Sequence, residues 1–307
     1  MPPTLVLSLD FELRWGMYDV LGGDIDAYRG NLLGVREAVP LLLDALNARQ
    51  MPCSWAVVGA MACAGWEEYL DLAPPQPYTD PRLRFDRTWA QRDPDGLLHF
   101  APNLVQEVAR TPHQFIGSHT FGHLYCMEQG IMARDMDADA RVCSQVLSRF
   151  GVGAPRTLIF PRNQVAFLPT LARHGIAAVR DCQPGMAWQE SRIDRESIVH
   201  RVGRMASMVR VRGAAAASEH GVLRVPSSAF LRMGLREPLH SVFVRSLLDG
   251  ARALRSGEVL HIWCHPHNLG DRPAQRVAEL LGLVDALTEA APSNARWASM
   301  EELADQY

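Results

Sequence analysis

Seven short apolar runs punctuate the chain, at residues 4–9, 53–58, 114–117, 157–160, 177–179, 222–225 and 259–263. Most are continuous rather than alternating, which is how a strand reads when both faces of its sheet are covered. Between them lie stretches with a helical period. Residues 35–49 place Val39, Leu42, Leu43 and Leu46 on one stripe, and 138–150, 165–174, 241–255 and 275–290 continue the pattern. Asp135, Asp137 and Asp139 give one of these an acidic start, and Gly175 suits the position just past a helix end. Strand–helix alternation of this kind predicts an α/β fold with a parallel sheet inside and helices outside, and seven units come close to a closed barrel.

Two stretches break the rhythm. Residues 72–103 hold Pro74, Pro75, Pro77, Pro81, Pro94 and Pro102 with Trp89 among them, and residues 184–221 form the other. Both exceed an ordinary connection, so each is expected to be a functional loop or lid inserted into a single domain spanning 1–307.

Composition removes several functions. All 31 basic residues are arginine, so Schiff-base chemistry, a phosphate-loop lysine and pyridoxal phosphate attachment are excluded. A net charge of -3 with no basic stripe leaves no nucleic-acid footprint. The six cysteines form no CxxC pair and read as reduced thiols. The start MPPTLVLSLDFE is not a signal peptide, and no run approaches the roughly 18 apolar residues of a spanning helix. A cytoplasmic chain that does not span a membrane is expected.

The chemistry gathers where the strands end. After the first come Asp10 and Glu12; after the third, His119 and His123; after the fourth, Pro161, Arg162 and Asn163; after the fifth, Arg180, with Trp188 beyond; after the seventh, His265 and His267. Active sites of α/β barrels are built at these strand ends. His119-Thr-Phe-Gly-His123 has the i,i+4 spacing that, on a helical turn, aims two imidazoles at one ion. Of the two carboxylates nearby, one can complete a three-ligand site and the other can accept a proton from water. Trp15, Trp89, Trp188 and Trp263 are candidate walls for a sugar.

These segments resemble the polysaccharide deacetylases of the NodB-homology type, carbohydrate esterase family four, over residues 5–268 or so. SLDFE is similar to the first family motif, HTFGH to the second, IFPRNQ stands at the third and WCHPHN at the last. A subset with SLDFELxWG, FPRNQ and PSSxFL, occurring among surface-polysaccharide and O-antigen proteins, is nearer still. The resemblance implies a distorted (β/α)7 barrel and a divalent metal, zinc for preference, held by Glu12, His119 and His123. It implies Asp10 as catalytic base, His265 as catalytic acid, and a backbone N–H near Arg162 for the oxyanion. Pro161 and Arg162 lie where the family forms its substrate groove, and Trp15, Asn163, Arg180, Trp188 and His267 complete the expected substrate-binding set. The family's adjacent Asp-Asp is here Asp-Phe-Glu, and its third-motif arginine is absent, so Arg162 or Arg180 is expected to supply that charge near Asp10.

The implied activity is removal of an acetyl or formyl group from an amino sugar, a nucleotide-linked or lipid-linked precursor. The alternatives are a non-sugar amide hydrolase of the allantoinase-like branch and a sugar-binding protein without turnover.

Overall fold

Each of the seven apolar runs forms a strand in the computed structural model, which describes residues 1–18, 26, 28–182 and 210–307. The described strands are β1 (Thr4–Phe11), β2 (Cys53–Val57), β3 (Gln114–Ser118), β4 (Thr157–Leu158), β5 (Ala178–Asp181), β6 (Ala214–Ala215), β7 (Ala217–Glu219), β8 (Val222–Pro226), β9 (Ala229–Phe230), β10 (Glu258–Cys264) and β11 (Arg296–Trp297). The seven expected strands pair in parallel in the order β10-β1-β2-β3-β4-β5-β8. β8 then hands over to β9, which lies parallel to β10. The Ser228 N–H donates to the His261 carbonyl at 2.7 Å, and the Leu231 N–H to the Trp263 carbonyl at 2.7 Å. This segment closes the ring into a distorted seven-stranded α/β barrel. β6 and β7 add antiparallel to β10 and β8, and they are the described end of the second long insertion.

Burial on both faces explains why the runs read as continuous, yet a period of two is present within them. On β1, Leu5, Leu7 and Leu9 pack outward in the same apolar layer as Val35, Val39, Leu42 and Leu46 of the helix Arg29–Ala48. Val6 belongs to a separate inner cluster with Ala56, Ile159, Ala178, Val225 and Val259. Above that layer the lumen turns polar. Ser8 meets His261 and Arg180, and Asp10 lies one step higher.

The floor is closed by the helix Met300–Ala304. Met300 and Leu303 join the inner cluster, and Glu301 accepts from Ser54 and Thr157 at 2.6 Å each. Burial of Glu301 raises its carboxyl above the usual carboxylate range. An apolar floor beneath a polar mouth puts every ionisable strand-end group on one side of the barrel.

Candidate active site

Glu12 leaves β1 and is 4% exposed. Its Oε2 lies 3.1 Å from Nε2 of His119 and 3.2 Å from Nε2 of His123. Nδ1 of His119 is 2.7 Å from the Ile159 carbonyl, a group that only accepts, so the His119 proton sits on Nδ1. Nε2 is the ring nitrogen left to face the Glu12 carboxylate, free to donate a proton to it or to offer a lone pair to a cation beside it. Glu12, His119 and His123 form a buried three-ligand set of the kind that binds a divalent ion. Burial pushes the Glu12 carboxyl up, but the His265 charge and the bonds from His119 and His123 outweigh it and hold it well below the usual range.

The helical turn expected at residues 119–123 is not what brings the histidines together. Thr120 and His123 take positive φ (62° and 53°), and the segment is an irregular loop after β3. Its shape is held from outside. The Phe121 and Gly122 N–H groups donate to Asp139 at 2.6 and 3.0 Å, and Gln76 donates to the Gly122 carbonyl at 2.8 Å. The sequence reads Asp139 as one of the charges at a helix start. The helix Ala133–Leu147 begins earlier, and Asp139, in its second turn, faces the barrel at 1% exposure. Gln76 belongs to the first long insertion, whose Leu83, Phe85 and Trp89 line a cavity beside His123.

Asp10, 2% exposed, is gripped by Arg180, whose two terminal nitrogens donate to its two oxygens at 2.6 and 2.7 Å. Arg180 is itself buried, stacks 3.9 Å from the Trp263 ring, and donates to Asn163 Oδ1 at 3.1 Å. Of the two arginines expected near Asp10, Arg180 is therefore the one paired with it, and its guanidinium is committed to a carboxylate rather than presented as a substrate-binding group. Burial raises the Asp10 carboxyl, and the charge and hydrogen bonds of Arg180 together with His119 and His265 more than reverse this, leaving it below its ordinary value. His261 donates to or accepts from Ser8 at 2.8 Å beneath the pair, and burial takes its imidazole down to about 3.

His265 stands at the mouth, 20% exposed, with Nε2 3.4 Å from Glu12 Oε1 and 4.0 Å from Asp10 Oδ2. Asn268 Oδ1 lies 3.2 Å from its Nδ1. His267 stacks behind it, ring centroids 4.8 Å apart, and burial takes the His267 imidazole down to about 3. Glu12, His265 and His267 form a second group close enough to share an ion. Pro161, Arg162 and Asn163 form a short 3-10 turn at the end of β4, with Arg162 and Asn163 at φ 54° and 53°.

Trp15, expected as a sugar wall, is 3% exposed and donates its indole N–H to the His99 carbonyl within a cluster of Tyr69, Trp66 and Phe100. It shapes the cavity beside His123 from within the core. Trp89 stacks on Tyr18. Trp188, and most of the second insertion, lie outside the described residues.

Sequence reasoning passes over Gly16. A Cβ there would lie 2.0 Å from the Glu12 carboxyl carbon, so the 3-10 turn Leu13–Gly16 fits around Glu12 only with glycine at its end. A glycine four residues after the carboxylate is the available signal.

Neither a protein-family model nor a curated protein sequence matches the chain. Solved structures do. Over 99% of this chain and 89% of the other, it superposes on a putative polysaccharide deacetylase from Mycobacterium smegmatis with a TM-score of 0.61 at 14% identity. A chitin deacetylase from Colletotrichum lindemuthianum aligns over 98% and 87% of the two chains, with a TM-score of 0.46 at 11% identity. A CE4 family pseudoenzyme from Bacillus anthracis aligns over 99% and 66%, with a TM-score of 0.49 at 9% identity. The first of these shares the barrel fold with this chain.

Proposed function

We propose that this chain is a metal-dependent hydrolase that removes a short N-acyl group, acetyl or formyl, from an amino sugar. Its substrate would be a nucleotide- or lipid-linked precursor of a surface polysaccharide such as O-antigen, processed in the cytoplasm. The observation that carries the reading is the convergence of Glu12 Oε2 with the Nε2 atoms of His119 and His123, where the Ile159 carbonyl holds the His119 Nδ1 and leaves its Nε2 aimed at the same point.

Glu12, His119 and His123 would hold the ion, and zinc suits one carboxylate and two imidazoles with a position left open. When bound, it supplies Lewis acidity to the acyl carbonyl and to a water. Asp10 takes the proton of that water. Its bidentate bond to Arg180 leaves each oxygen a further lone pair for the task and fixes the direction of the carboxylate. The backbone N–H of Arg162, in its left-handed turn, donates to the developing oxyanion, an interaction worth about 3–4 kcal/mol at comparable sites. His265, with Nδ1 held by Asn268, uses Nε2 to protonate the departing amine. Asn163, Pro161, Trp15 and His267 shape the surroundings of these groups.

His119→Ala should lose metal binding and turnover together. Elemental analysis of purified protein, paired with a free-amine assay over N-acetyl and N-formyl amino sugars, tests this. Full activity of that variant in metal-free buffer would overturn the proposal.

A further inference from the structure

Two adjoining cavities of about 430 Å³ each lead away from His265. The nearer one is lined by Tyr28, Asn31, Phe230 and Asn268. Phe230 lies 5.3 Å, ring to ring, from His265, and Asn268 holds the His265 Nδ1. The farther one is walled by Leu231, Leu235, Phe243, Val244 and Leu283. Arg232, Met233 and Leu235 line both, so the apolar chamber adjoins the cavity that lies beside the proposed acid.

The charges beside these cavities are mixed, with Arg232 at their shared wall and carboxylates around the apolar chamber, which favours an apolar occupant of that chamber over a nucleoside diphosphate. Glu237 and Glu279 border the apolar chamber, and Arg276, which lines the nearer cavity, is already bonded to Asp271 and Glu279. Leu239 and Val242, 53% and 43% exposed, extend the apolar surface along the helix that carries Phe243 and Val244. Gly282 lies inside the helix Pro273–Ala290 and lines the chamber, and a Cβ added there meets no atom within 4 Å. A glycine in a helix interior weakens the helix, and here it leaves the chamber open.

We infer that the amino sugar reaches the site carried on an apolar tail, a lipid chain, which lies in the chamber lined by Leu231, Phe243, Val244 and Gly282 while the sugar sits at His265. This rests on the hydrolase reading above and chooses the lipid-linked class of substrate within it.

The test compares methyl and dodecyl N-acetyl-β-D-glucosaminides, the latter below its critical micelle concentration, in the wild type and in Gly282→Leu. Amine release gives kcat/KM, and calorimetry gives binding of the dodecyl glycoside. The dodecyl-to-methyl ratio of kcat/KM should be at least about tenfold in the wild type, the gain from burying about two methylenes, and close to one in Gly282→Leu. Dodecyl binding should weaken by the same factor in the variant. Its melting temperature should not fall, since leucine is the better helix former. A wild-type ratio near one, or dodecyl binding equal in the two proteins, overturns the inference. Binding that Gly282→Leu weakens, without turnover of either glycoside or of their N-formyl counterparts, supports the chamber and overturns the hydrolase reading alone.

Discussion

Arg180→Met removes the guanidinium while keeping an unbranched apolar side chain in its place. Both partners of the Asp10–Arg180 pair are almost wholly buried, with side chains 3% and 1% exposed. The variant leaves an uncompensated carboxylate in the lumen, and breaking a buried pair in this way costs about 3–5 kcal/mol. Spread over the unfolding entropy of 307 residues, at about 2.1 cal/mol/K per residue, this lowers the melting temperature by about 5–8 °C near neutral pH. The sign of the pH dependence is the sharper test. In the wild type the Asp10 carboxyl is held below its unfolded value, so its contribution is present above that value and lost as pH falls. In the variant burial, the largest influence on Asp10, is opposed only by His119 and His265 and raises the carboxyl, so stability is lost as pH rises from the unfolded value of about 3.9. The gap between the two proteins should therefore widen upward from about pH 4, by up to about 1.4 kcal/mol for each pH unit, until the variant's carboxyl ionises. Calorimetric melts from pH 4 to 7 in the presence of a chelator measure it. A gap that does not change with pH would refute the argument that Arg180 compensates a buried charge. Amine release should also fall by at least about 10²-fold, since the base loses its alignment.

Gly16→Ala should push the Glu12 carboxylate from its place and weaken metal affinity by about tenfold or more, read by competition with a chromogenic chelator; unchanged affinity would show that the close approach is unimportant. Asp139→Ala removes the acceptor for the Phe121 and Gly122 N–H groups and should weaken metal affinity about 10–100-fold although Asp139 is not a ligand. Burial takes the Asp139 carboxyl up to about 6, so its ionisation costs stability between about pH 4 and 6, and Asp139→Asn should flatten the fall in melting temperature across that window. Glu301→Gln, at the barrel floor, should leave kcat/KM for amine release within about twofold, because Glu301 bonds Ser54 and Thr157 and the inner apolar layer separates it from the mouth; a large loss of activity in a folded variant would contradict that separation.

The amino-acid order alone determines the strands and the polar groups at their ends. Short continuous apolar runs alternating with helical stretches are read as strands covered on both faces, and the end of such a strand is where a barrel places its mouth. That is why Asp10, Glu12, His119, His123 and His265 are legible as one site although Glu12 and His119 are 107 positions apart. The partners of those groups are not legible. Whether Arg162, in the turn after β4, or Arg180, on β5, pairs with Asp10 depends on which side chain points into the lumen, and that pairing joins positions 170 apart. Asp139 reads as a helix-start charge because local sequence cannot tell an outward carboxylate from one turned toward a loop. The 119–123 segment has the spacing of a helical turn, but the Phe121 and Gly122 N–H groups are satisfied by Asp139 and the Gly122 carbonyl by Gln76, so the backbone takes left-handed angles that no local propensity favours. Chain order settles which groups reach the mouth of the barrel; tertiary packing decides which of them carries charge, which holds a proton and which merely keeps another in place.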